Sequence, residues 1–85
     1  MISKEEFGEM RLQQRLMYLW NYGEMIAERN YPGSDVSLFL ADGFFAEVFF
    51  DRDNNRVEDV QVIENRHILY CYVKDLSLAP LMRLR

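Results

Sequence analysis

The residues of this chain that could take part in nucleophilic or acid–base chemistry are few. It holds one histidine, His67, and one cysteine, Cys71. We predict that both lie on one strand, where a four-residue separation puts their side chains on the same side but roughly 13 Å apart. A catalytic base needs a nucleophile and an orienting carboxylate within hydrogen-bonding reach. We therefore expect no catalytic site and no enzyme, and we interpret Cys71 as a small buried core residue.

One loop has part of the spacing of a calcium site. Asp51, Asp53 and Asn55 occupy alternate positions, as the oxygen ligands of an EF-hand loop do. That motif also needs a glycine and a glutamate where this chain has Arg56 and Val62. A single histidine and a single cysteine offer too few ligands for zinc. We expect no metal and no cofactor, and we interpret the loop as a polar hairpin turn.

The amino-acid composition limits the cellular compartments and the classes of binding partner that we expect for this chain. The net charge is −4, and Lys4 and Lys74 are the only lysines, so the basic cluster that a phosphate backbone requires is missing. A lone cysteine cannot form an intrachain disulfide, which favours a reducing compartment. The chain shows neither the apolar core of a signal peptide nor an uncharged apolar run of about 18 residues. We expect a cytoplasmic protein that binds neither nucleic acid nor a membrane.

The N-terminal third has the pattern of an amphipathic helix. Ser3 and Glu6 have the spacing of a capping box, which satisfies two amide groups at a helix start. Pro32 and Gly33 favour a turn that ends the helix. We predict one helix over about residues 3–30. Its apolar stripe, at three- and four-residue steps, consists of Leu12, Leu16, Leu19, Trp20, Ile26 and Ala27.

The rest of the chain is rich in β-branched and aromatic residues separated by turn signals. Asp42 and Gly43 form a hairpin signature, because both positions of a type I′ turn need positive φ. The predicted fold class is α+β, a single domain over residues 1–85 in which the helix packs on a four-stranded antiparallel meander. Its strands are expected over about residues 36–41, 44–51, 57–63 and 67–74, with a C-terminal tail over residues 75–85.

The predicted sheet carries large side chains on both faces. Phe44 and Phe50 point to one face of their strand, and Phe45 and Phe49 point to the other. One helix covers only one face of a sheet, and a wet second face should be polar. We therefore expect a second copy, another protein or the tail to cover the side that carries Phe39, Phe45 and Phe49.

These surfaces predict a non-enzymatic protein-interaction module, homodimeric or bound to another protein. The alternative is a small-molecule-binding or enzyme accessory domain with a pocket between helix and sheet, near Trp20, Tyr22 and Tyr31. Methionine is included in the interface because its flexible, polarizable side chain suits adaptable surfaces. The expected interface residues are Phe39, Phe45, Phe49, Met10, Met17 and Met25.

The strand and hairpin from Asp42 to Asp51, with the run Arg56-Val-Glu-Asp-Val60 after a polar Asn turn, resemble small uncharacterised bacterial single-domain proteins. Those proteins have an N-terminal helix followed by a β-meander. The resemblance covers most of the chain and implies a cytoplasmic domain that stands alone, without an assigned activity. It brings no site residues with it.

Overall fold

A computed structural model describes residues 1–75 of the chain. Except for residue 75, the predicted tail lies outside the described residues. The sheet is antiparallel with its strands in chain order, so the predicted α+β class and four-stranded meander are confirmed. The elements are α1 (Lys4–Glu9), α2 (Leu12–Tyr22), β1 (Glu24–Tyr31), β2 (Ser34–Ala41), β3 (Phe44–Asp51), β4 (Arg56–Val62), a 3₁₀ turn (Arg66–Ile68) and α3 (Leu69–Asp75).

The helical start follows the predicted capping box. The Ser3 hydroxyl accepts from the Glu6 amide at 3.1 Å, and the Glu6 carboxylate accepts from the Ser3 amide at 3.0 Å. The helix is interrupted after Glu9, and α2 begins with a second side-chain cap, in which Gln14 accepts from the Arg11 amide at 3.0 Å. Two short helices therefore occupy the start of the region where one helix is predicted.

The predicted helix is too long, because residues 24–31 form β1. The helix ends at Gly23, whose amide donates to the Leu19 carbonyl at 2.8 Å, and a Cβ at this position would lie 2.7 Å from that oxygen. Beyond it, Gly33 with φ +81° turns the chain so that Tyr31 pairs with Ser34. Pro32 and Gly33 thus make a hairpin and do not end a helix. Strand pairing outweighs the helical spacing of Ile26 and Ala27.

The predicted strand over residues 67–74 is also wrong, because this region is the 3₁₀ turn followed by α3. Asn65 caps the turn, with its side chain accepting from the His67 amide at 2.9 Å. Residues 68–73 form a continuous apolar run, and such a run does not distinguish a strand from a buried helix by period. The sheet still has four strands because β1 takes the missing place.

The register of the strands assigns side chains to two faces. Phe39 is opposite Ala46, whereas Leu40 is opposite Phe45 and Val36 is opposite Phe49. The face with Ala46 carries α1 and α2, and we call it the helix face. The other face carries α3 and is called the α3 face. Phe39 therefore lies on the helix face and does not share a side with Phe45 and Phe49, contrary to the prediction.

The core lies between the helix face and the two N-terminal helices. Phe7, Leu19 and Ala46 are fully buried there, and the rings of Phe7 and Phe44 lie 5.1 Å apart. The predicted Asp42–Gly43 turn is confirmed by φ values of 49° and 85°. The Asp42 carboxylate also accepts from the Ile2 amide at 3.2 Å and from the Tyr18 hydroxyl, which ties both helices to this hairpin.

Candidate interaction surface

An apolar groove of about 550 Å³ lies on the helix face, between α2 and the sheet. Its lining comes from α2 and from the helix face of all four strands; we call the side chains of α2 and of the edge strand β1 its walls, and those of β2, β3 and β4 its floor. Hydrophobic residues dominate this lining. The walls consist of Leu16, Met17, Trp20, Met25 and Glu28, and the floor consists of Asp35, Ser37, Phe39, Val48, Phe50 and Val57.

The groove exists because α2 is short and turns directly into β1. Leu19, in the last turns of the helix, points to the sheet and is fully buried. Trp20 is rotated by about 100° around the helix axis and is 77% exposed. The chain then leaves the helix at Gly23 and enters the edge strand β1. The indole of Trp20 thus stands beside the groove and does not fill it.

The walls of the groove expose apolar side chains to solvent. Met17 of α2 is 57% exposed, and Met25 of β1 is 53% exposed. Together with Trp20 they surround a floor that includes Phe39 and Phe50. Single exposed hydrophobic residues are normal in soluble proteins, but a contiguous group around a concave apolar floor marks an interaction site.

The polar side chains of the groove are two carboxylates and one hydroxyl, and the described residues that line it include no lysine, arginine or histidine. These polar side chains are Glu28, Asp35 and Ser37. Asp35 is paired with Arg52 at 3.1 Å, but both side chains are nearly half exposed, so solvent screens the pair. The groove therefore offers a hydrophobic floor with carboxylate acceptors at one side.

The structure brings together three of the six predicted interface residues. Met17, Met25 and Phe39 line the groove. Met10 is half-buried against the core. Phe45 and Phe49 are half-buried on the α3 face, away from the groove. The predicted ligand pocket near Trp20 coincides with the groove at Trp20, while Tyr22 and Tyr31 are not part of its lining.

The α3 face holds a polar cluster that the sequence did not reveal. Glu47, only 3% exposed, accepts from the Tyr72 hydroxyl at 2.6 Å and from Arg29 Nη2 and Nε at 3.0 and 3.2 Å. The Arg29 guanidinium lies 5.5 Å from the centre of the Tyr72 ring. Burial raises the pKa of Tyr72 above its ordinary value, and the Glu47 carboxylate raises it further. The hydroxyl therefore stays protonated and acts as a donor.

This cluster fixes α3 to the sheet. One oxygen of the Glu47 carboxylate, Oε2, accepts from two partners on separate elements, Arg29 of β1 and Tyr72 of α3. A sequence signal existed, since Glu47 is the single charged residue in the aromatic run of β3. Its partners were hidden because Arg29 was assigned to a helix and Tyr72 to a strand.

The residues considered for catalysis lie apart from the groove. The His67 ring stacks on Tyr70 with centroids 6.1 Å apart. Cys71 is exposed, so its predicted burial is wrong; the reason is that α3 presents it to solvent where a strand would have buried it. The separation of roughly 13 Å expected for the pair assumed a strand and does not apply to helical backbone.

The loop with calcium-like spacing binds its own backbone. The Asp51 carboxylate accepts from the amides of Asp53 and Asn54 at 2.9 and 3.3 Å, and from the Asn54 side chain at 2.6 Å. Asn55 has φ 55°, as a tight loop requires. Within residues 1–75, no group of three or more histidine, cysteine, aspartate or glutamate side chains is arranged to hold a metal ion. The absence of a metal and of a cofactor stays a prediction.

Comparison with known proteins found no match for this chain: no protein-family model, no curated protein and no solved structure matches it. The resemblance to small bacterial single-domain proteins therefore stays a prediction. In the part of the chain that the structure describes, none of the helices has the length and apolar character needed to cross a bilayer.

Proposed function

We propose that this chain is a non-enzymatic protein-interaction module that associates with a second copy of itself through the groove surface. The observation that supports the proposal is the exposure of Met17, Trp20 and Met25 around the apolar floor of the groove. In the part of the chain that the structure describes, these side chains are exposed to water, and a protein partner would remove them from it. The net charge of −4 argues against a nucleic-acid partner.

The small size of the domain, in addition to its exposed apolar surface, favours association. A domain this small buries only about 60% of the surface of its unfolded chain, so its own core gives a narrow margin of stability. Removing apolar surface from water contributes roughly 25 cal/mol for each Å² buried. Tryptophan and methionine are enriched in interfaces, and tryptophan is frequent among the residues that dominate binding energy. Association through the groove would therefore add stability where the monomer has little.

The experiment is molar mass by light scattering after size exclusion, over a hundredfold range of protein concentration. We expect a dimer that dissociates on dilution. Met17→Glu places a charge at the groove wall and should shift the protein to the monomer at the same concentrations. Tyr70→Glu is the matched control, because Tyr70 is 67% exposed on α3, away from the groove. A wild-type monomer at every concentration would contradict the proposal.

A second candidate is a domain that binds a small molecule, including an accessory domain of an enzyme. The groove volume of about 550 Å³ falls within the usual range of ligand sites, and few polar groups line it. Its exposed walls argue against it, because ligand sites enclose most of their ligand. A thermal-shift screen of metabolites tests it, since a ligand at a hundred times its dissociation constant adds about 2.7 kcal/mol. A compound that shifts wild type but not Met17→Glu would replace the first proposal.

A further inference from the structure

The bulkiest side chain that lines the groove is also highly exposed. Trp20 is 77% exposed and stands beside a floor formed by Phe39, Phe50 and Val57. Among the residues that the structure describes, the projecting indole and this half-buried floor therefore lie on one surface. On the basis of the proposed function, we propose that Trp20 of one copy inserts into the groove of a second copy, and that the second copy returns the same contact.

The polar groups of the groove match the one polar group of an indole. The indole Nε1–H is a donor and has no acceptor function. A buried tryptophan usually finds a partner for this hydrogen, because leaving it unpaired is costly. The groove offers the Glu28 and Asp35 carboxylates as acceptors beside its hydrophobic floor. An incoming indole would place its rings on Phe39 and Phe50 and its N–H toward this acidic side.

The symmetry of this contact limits it to two copies. When the inserted residue and the receiving groove lie on the same patch, two copies related by a twofold axis satisfy each other completely. Such an interface closes and leaves no free groove for a third copy. The alternative of pairing β1 edges is disfavoured, because the register of β1 shifts between Met25 and Ala27, and a bulge of this kind interrupts an edge strand.

The fluorescence of Trp20 can report on dimer formation, because the chain has a single tryptophan. The emission spectrum of the full chain is recorded over the concentration range in which light scattering follows the mass. We expect the emission to shift to shorter wavelength as the dimer forms, with the same midpoint as the mass. Trp20→Ala should raise the dimer dissociation constant at least about tenfold, and Trp20→Phe should raise it less, because a smaller aromatic ring remains although the N–H and part of the indole surface are lost.

The outcomes separate the inference from the proposed function. A dimer with a concentration-dependent blue shift and weakened Trp20→Ala association supports both. If a dimer forms but its tryptophan emission does not change with concentration, the insertion of Trp20 is wrong. The same holds if Trp20→Ala has the dissociation constant of wild type. Neither result contradicts the proposed protein-interaction module. A monomer throughout overturns both. The high exposure of Trp20 makes a folding defect in Trp20→Ala unexpected, and circular dichroism of the variant checks this.

Discussion

The Tyr72 hydroxyl donates a hydrogen bond of 2.6 Å to the buried carboxylate of Glu47. This bond joins α3 to the centre of the sheet, on the face opposite α1 and α2. Arg29 of β1 provides the compensating charge at 3.0 Å. A buried carboxylate is tolerated only where donors and a cation satisfy it, and here these come from two elements that are distant in sequence.

Tyr72→Phe should therefore destabilise the fold without changing its shape. The substitution keeps the ring and its contact with Arg29 but removes one donor from a buried charged acceptor. We expect the free energy of unfolding to fall by about 1.5–3 kcal/mol, the range found for hydrogen bonds to charged groups. Urea unfolding of both proteins at neutral pH measures this. Tyr70→Phe on the exposed side of α3 is the control and should change stability by less than about 0.5 kcal/mol.

Asp42 should make stability depend on acid pH. Its hydrogen bond from the Tyr18 hydroxyl, and next the one from the Ile2 amide, hold the pKa of Asp42 below its ordinary value. A carboxylate with a lowered pKa in the folded state stabilises that state at neutral pH. The contribution disappears as the pH falls from about 4 through the lowered pKa.

The test compares urea midpoints at neutral pH and at about pH 3 for wild type and Asp42→Asn. Asparagine tolerates the positive φ of this turn, so the variant removes the charge and retains the hairpin. We expect the variant to lose less stability on acidification than wild type. Some loss should remain, because the pKa of Asp51 is also lowered, first by its hydrogen bond from Asn54. An equal acid loss in both proteins would show that Asp42 is not responsible.

Substitution by alanine should change the free energy of unfolding in opposite directions at two glycines. Gly43 has φ +85° in the hairpin turn, where an alanine is strained, so Gly43→Ala should cost about 1–2 kcal/mol. Gly8 lies in α1 with open space around the position of a Cβ, and Gly8→Ala should stabilise by about 0.5–1 kcal/mol. Denaturant unfolding under the same conditions measures both. A gain at Gly43, or a loss at Gly8, would contradict the backbone assignments.

Local signals in the sequence predicted the local structure correctly. Ser3 with Glu6 and Asp42 with Gly43 each act over a few residues, and the backbone forms the cap and the turn that these pairs indicate. The errors occur where a segment depends on distant partners. Residues 24–31 have helical spacing in isolation, yet they pair with β2 once the Pro32–Gly33 turn brings the two together.

The candidate site was predicted only in part for the same reason. Met17 and Met25 were predicted as interface residues, whereas Trp20 was predicted in the apolar stripe of the helix and near a ligand pocket. Their meeting in one groove depends on β1, which the sequence did not predict. Phe39 was predicted to lie on the same side of the sheet as Phe45 and Phe49. In an antiparallel pair the register, and not the parity of the numbering, decides which residues share a face.

The two faces of the sheet should respond differently to an introduced charge. Phe49 was predicted to report on assembly, but it lies half-buried on the α3 face opposite the fully buried Val36. Phe49→Glu should therefore lower the free energy of unfolding of the monomer, by about 1–3 kcal/mol, because it places a charge against the interior. Met17→Glu alters an exposed side chain and should leave the unfolding of the monomer almost unchanged while it weakens association.

Urea unfolding at a concentration below the dimer midpoint, combined with molar mass above it, separates these effects. The expected pattern is a lower urea midpoint for Phe49→Glu and a lower mass for Met17→Glu. A Phe49→Glu variant that is as stable as wild type and monomeric would instead mean that the interface lies on the α3 face. The assignment of the interface to the groove would then be wrong, because the residue that controls association would be on the other side of the sheet.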